Sequence, residues 1–202
     1  MSVLVALGLG IGLGIFTGLP LGVVNVAIVD AATTNRVRFA TGLGIGGAIA
    51  DATHAALAFI GVGQLVTNRP ELVRWLALGA AVVIIGYAIV AWRLRRKTID
   101  RESGDRSSLV RGVVTGCSLT LPNPGSLAAW VAVATVIWPD ASVTSAVAVA
   151  CGVGLGSAGW FIVLARWVSR VRPDHPVLKI VARGAVAILV ATAILGIVRF
   201  VI

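Results

Sequence analysis

The stretch Phe16–Asp30, FTGLPLGVVNVAIVD, closes a run from Met1 to Val29 that carries no charge. A run of that length can cross a bilayer, for which about 20 apolar residues suffice. Yet its second half holds a proline, two glycines and an asparagine. Pro20 cannot donate a backbone hydrogen bond to the Phe16 carbonyl. Asn25 brings a carboxamide that needs partners once it is buried. Irregular backbone at membrane depth is tolerated where protein buries it or where it lines a wet cavity. The stretch therefore reads as a broken spanning helix at a solute site, with Pro20, Gly22 and Asn25 as candidate residues.

The rest of the chain supports a membrane setting. Of 202 residues, 58% are hydrophobic and 12% charged, and the mean hydropathy is +0.99. A soluble domain of this size has too much surface to hide that apolar content. Hydropathy marks six candidate helices, at about 3–29, 39–66, 72–93, 109–137, 142–168 and 178–201. The N-terminus has no basic segment ahead of its apolar run, so it reads as the first span rather than a cleaved signal. Cys117 and Cys151 fall inside apolar segments without a CxxC pair, which points to packing and not to redox or zinc chemistry.

The net charge of +9 is explained by its placement. With six spans, fourteen of the seventeen basic residues fall on one side, in the connections around Arg36, Arg93–Arg111 and Arg166–Arg183; Arg69, Arg74 and Arg199 fall on the other. The positive-inside rule makes the first side cytoplasmic and puts both termini outside. No aromatic residues interleave with the charges to stack bases, so no nucleic-acid partner is expected.

Three spans flank the connection RLRRKTIDRESGDRSS, Arg93–Ser108, on either side. An odd number per half turns the halves over relative to each other. Each half opens with a proline-broken polar helix, GLPLGVVN in the first and TLPNPGS in the second. The expected fold is an all-α integral membrane protein, one transporter domain over residues 1–202. It has six transmembrane helices as two inverted three-helix repeats, about 1–93 and about 109–202, joined by a cytoplasmic loop at about 94–108. Helices 1 and 4 are broken by proline, and inverted halves of this kind mark many secondary transporters. Gly10, Gly14, Gly18 and Gly22 recur at every fourth position, as do Gly42 and Gly46, and Gly152 and Gly156. That spacing suits close helix packing in lipid, within one chain or across a homodimer.

Two further groups carry chemistry. Asp51 lies near the middle of helix 2, where a carboxylate costs on the order of 2.5–3.5 kcal/mol to insert, so a cavity or partner is expected to hold it. His54 is one turn along the same face and serves either as a proton relay beside Asp51 or as a packing residue. In helix 4, Pro122 and Pro124 remove donors to the Ser118 and Thr120 carbonyls, and Asn123 stands between them. Half-helix ends of this kind present N–H groups to an anion and carbonyls to a cation, as an α-amino acid would require.

The block from Phe16 to Val66, with G-x-P-x-G-x-x-N, a glycine-rich helix entry and an intramembrane Asp, resembles the N-terminal half of the lysine-exporter (LysE/RhtB) family. GCSLTLPNPGSLAAW resembles that family's second signature, an Asn-Pro in helix 4. The resemblance implies a non-enzymatic exporter of amino acids or similar small metabolites across a bacterial inner membrane, driven by the proton motive force. Its motif positions fall on Pro20, Gly22, Asn25, Asp51, Asn123 and Pro124. The chain departs from the family pattern at Val23, where a second proline is common, and at Gly125 and Ser126, where a basic residue is common. No cofactor is called for. The alternative is a divalent-metal exporter using Asp51, His54 and Asn25, although two such ligands and an amide make a thin metal site. An intramembrane hydrolase built on Ser157 and His54 is the enzyme reading, and no oxyanion site accompanies it.

Overall fold

The computed structural model describes residues 2–19, 22–61, 68–72, 74–75, 78–79, 82, 85–86, 89, 106–138, 141–170 and 194. Pro20, most of helix 3, the 94–105 connection and almost all of helix 6 lie outside the described residues. Within them the chain is helical and contains no strand. Six helices are delimited: α1 Val3–Gly18, α2 Val23–Thr33, α3 Val37–Phe59, α4 Arg106–Thr120, α5 Pro124–Ile137 and α6 Val143–Arg170.

Both helices expected to break do so. α1 and α2 form one apolar segment bent by 68°, and α4 and α5 another bent by 73°. The second break is built entirely from local chemistry. Pro124 has no N–H to offer the Thr120 carbonyl, and the Asn123 N–H takes that carbonyl instead at 3.0 Å. The Asn123 side chain then accepts from the Gly125 N–H at 3.0 Å and starts α5. Proline at the first helical position, behind an asparagine cap, is a favoured helix start. At the first break, α1 ends with Leu19 N–H on the Ile15 carbonyl at 3.2 Å, and α2 starts at Gly22 without any side-chain cap.

α6 spans 28 residues and, among the described residues, is the one helix long and apolar enough to cross a membrane by itself; each bent pair passes the same test when taken as one segment. At about 1.5 Å per residue α6 is roughly 42 Å long, more than the roughly 30 Å of hydrocarbon, so it must tilt or protrude. α3 has 23 residues, with Asp51, Thr53 and His54 and four glycines diluting its hydropathy.

The long helices pack in the order α1, α6, α3, α4. At one end Gly10 and Gly14 of α1 meet the backbone of Val149, Gly152, Val153 and Ser157 in α6. At the other, Gly42 and Gly46 of α3 meet Leu109, Gly112, Val113 and Cys117 of α4. In both crossings an added methyl would run into main-chain atoms of the facing helix, which is the close approach that small residues every fourth position permit. The short helices each gather an apolar cluster. Val23–Val29 of α2 pack with Leu43, Leu119 and Phe161, while Trp130 and Ala134 of α5 pack with Ala55, Phe59 and Val149. Between the two clusters lie the two breaks.

Candidate functional site: a cavity between two broken helices

A cavity of about 180 Å³ opens where the breaks face each other. The first break lends it Gly18, Gly22, Val23 and Asn25, the second Thr120, Asn123 and Ser126; Asp51 comes from α3 and Phe161 from α6. Asp51 is the one ionisable group among the described lining residues. On α3 its neighbours one turn away include the small residues Gly47, Ala48 and Ala55, beside His54. The Ser157 hydroxyl and the Trp130 indole are its polar neighbours. Ser157 also donates to the Gly14 carbonyl at 3.2 Å, so one hydroxyl links α6 to α1 next to the carboxyl.

Asn25 is buried and tied to its own break. Its Nδ2 donates to the Gly18 carbonyl at 2.8 Å, and its Oδ1 accepts from the Trp160 indole N–H at 3.4 Å. The bond spans the break, from the asparagine in α2 back to the last residue of α1. The expected role of Asn25 as a cargo contact therefore comes with a second, structural one that holds the kink. Asn123 has a similar double placement: Oδ1 caps α5 while the side chain borders the cavity. Gly22 is the N-cap of α2 and lines the cavity. Pro124 is buried at the start of α5, and Pro122 is half-buried in the turn before it. Pro20 lies outside the described residues.

His54 does not line the cavity. It is 2% exposed and both ring nitrogens are engaged, Nε2 with the Leu121 carbonyl at 3.2 Å and Nδ1 with the Ser126 hydroxyl at 3.2 Å. A neutral ring with its hydrogen on Nε2 satisfies both contacts, since a carbonyl only accepts. The imidazole ties α3 to the second break much as Asn25 ties α2 to the first. Ser157 and His54, paired in the enzyme reading, have separate partners, Gly14 for the one and Leu121 and Ser126 for the other. Among the described residues no three His, Cys, Asp or Glu side chains gather in a way that could hold a metal ion, and the metal-export reading gains no observation.

Reasoning from sequence missed Thr120, Ser126, Trp130 and Trp160. Thr120 and Ser126 flank the proline motif TLPNPGS that was singled out, so their position at the break was a usable signal. Trp130 and Trp160 had none, because a tryptophan in an apolar helix looks the same whether it packs or donates.

The chain matches no curated protein and no solved structure. A family of membrane translocators does match, over residues 15–199, a span that takes in both breaks and every side chain of the cavity. On that match, and with the two kinked helices and the carboxyl of Asp51 between them in view, the chain belongs to the LysE type translocator family, whose members export amino acids or related compounds.

Proposed function

We propose that this chain is a secondary exporter that couples the inward movement of protons to the outward movement of an amino acid across a bacterial inner membrane. One observation carries the reading: the sole ionisable group of the described cavity, Asp51, stands between two interrupted helices whose ends are polar and whose flanks are apolar. Asp51 binds a proton in one half of the cycle and the cargo ammonium in the other. A carboxyl suits this exchange because it cannot be shared by both cations at once.

The helix pairings support an inverted repeat. Aligning Pro20 with Pro122 brings Gly10 and Gly14 onto Gly112 and Gly116, and an insertion of eight residues after the break in the second half brings Gly42 and Gly46 onto Gly152 and Gly156. The α1–α6 crossing is then the counterpart of the α4–α3 crossing, and the contact of α2 with α6 that of α5 with α3. Such halves can rock against each other about a fixed central site. In this account the basic connections face the cytoplasm and both termini face outward.

The test is efflux of a labelled amino acid from loaded proteoliposomes, with and without an imposed pH gradient. Wild-type efflux accelerates when the gradient drives protons inward. Asp51→Asn loses that acceleration, and its exchange of amino acid at equal pH is weaker than wild type because the cargo ammonium has lost its counter-charge. If Asp51→Asn responds to the gradient as wild type does, the coupling role of Asp51 is wrong.

A further inference from the structure

Thr120 departs from a habit that six other helical threonines of this chain share. Thr17, Thr33, Thr41, Thr53, Thr115 and Thr135 each turn the hydroxyl back onto the carbonyl four residues earlier, at 2.8–3.0 Å. This back-bonding is the ordinary resting place of a threonine hydroxyl in a helix. Thr120, at the end of α4, has the same option and does not take it. Its side chain is 8% exposed, and Oγ1 is buried without any hydrogen-bond partner. A buried hydroxyl left unpaired is unfavourable, so the position calls for something that pairs with it when the site is filled. Thr120 lines the cavity.

The cavity also receives the start of α2, a helix of 11 residues whose cap residue is Gly22 and which has no side-chain cap. The N–H groups of Val23 and Val24 are in its first turn, where no helical acceptor exists. The other break is different. There Pro124 has no N–H, and the Gly125 N–H is taken by Asn123 Oδ1. Of the two half-helix N-termini, among the described residues, only the first has no side-chain cap, and it carries the positive end of a helix dipole. No cationic side chain is found among the described lining residues to compete for that role.

From these observations we infer that the Thr120 hydroxyl and the uncapped N-terminus of α2 form a carboxylate subsite, and that the cargo is a small zwitterion with an uncharged side chain. The inference rests on the exporter reading above, in which Asp51 receives the cargo ammonium. Size and charge restrict the cargo further. A cavity of about 180 Å³ is close to the roughly 150 Å³ that holds one benzene, so it accommodates a molecule of about six to eight heavy atoms. Alanine, serine and threonine fall within that range. A basic amino acid would reach out of the cavity and would bring a second cation to a site with one carboxyl among its described lining residues.

The experiment measures efflux of labelled L-threonine from proteoliposomes and its half-saturating concentration. On wild-type protein, unlabelled L-alanine competes, whereas L-lysine and 1-aminopropan-2-ol, which is threonine without its carboxylate, compete at least tenfold more weakly. Thr120→Val raises the half-saturating concentration for L-threonine by roughly tenfold, the loss of one hydrogen bond to a charged group. Thr120→Ser, which restores the hydroxyl, recovers the affinity to within about threefold. Without cargo, Thr120→Val melts no lower than wild type, because the hydroxyl it removes has no partner. Wild-type affinity in Thr120→Val, or equal competition by the amine, overturns the subsite. Transport of L-lysine in preference to L-threonine overturns the small-cargo inference and leaves the exporter reading intact. Transport of no amino acid at all removes the exporter reading itself. The competition series uses wild-type protein, so it decides the matter even if a variant fails to fold.

Discussion

His54 offers the sharpest separation of a structural from a transport role. Replacing it with leucine keeps much of the volume and removes both polar contacts. The Ser126 hydroxyl borders the cavity and can turn to water, so its loss costs little. The Leu121 carbonyl has no such escape. It belongs to the break, where the Gly125 N–H that would complete a helix is already committed to Asn123 Oδ1 at 3.0 Å. Removing its donor leaves an acceptor unsatisfied, at about 1–3 kcal/mol. His54→Leu should therefore lose about 1–3 kcal/mol. For a chain of this length each kcal/mol moves the melting temperature by about 2–4 °C, so a fall of roughly 2–12 °C is expected. His54→Gln can donate to Leu121 through its amide nitrogen and accept from Ser126 through its oxygen, and it should lose less than about 1 kcal/mol. The assay is thermal unfolding of the detergent-purified protein, followed by gradient-driven efflux of the same preparations. Gln should preserve both melting and coupled efflux. A Leu variant that melts like wild type would refute the tie between α3 and the break. A Gln variant that melts normally but loses coupling would mean that the imidazole moves protons after all.

Two other perturbations probe the frame around the cavity. Asn123→Ala removes the cap of α5 and should cost about 1 kcal/mol, seen as a drop of a few degrees in melting temperature; Asn123→Asp keeps an acceptor for the Gly125 N–H and should melt within a degree or two of wild type. Gly14→Leu drives a side chain into the Val153 main chain across the α1–α6 crossing and should destabilise by at least the 1–3 kcal/mol typical of overpacking. Gly8→Leu on the same helix meets nothing within 4 Å and should be tolerated, so equal behaviour of the two in melting and in yield would refute the crossing.

Pro20, Asn25, Asp51 and the Pro122–Pro124 cluster stood out in sequence because each is expensive in an apolar helix, and expense is visible one residue at a time. The same logic located the breaks to within a few residues and marked Gly10, Gly14, Gly42 and Gly46 as packing positions. Family membership was legible for the same reason, since the signature is made of those costly residues. Which acceptor each polar group serves could not be read, because the partner is set by distance in space. Asn25 reaches back seven residues to Gly18, and His54 reaches across to Leu121 and Ser126.

The sequence alone determined that this is an apolar, helical chain with two interrupted segments and one carboxyl deep within a third, because hydropathy and proline act locally. Only the tertiary structure decided that the two breaks face each other across one cavity, that Asp51 opens into it and His54 does not, and that Thr120 is left unpaired at its wall. Those facts depend on how α1 crosses α6 and how α3 crosses α4. Those crossings are set by where small residues allow backbones to touch, a property of pairs of helices that no single helix carries.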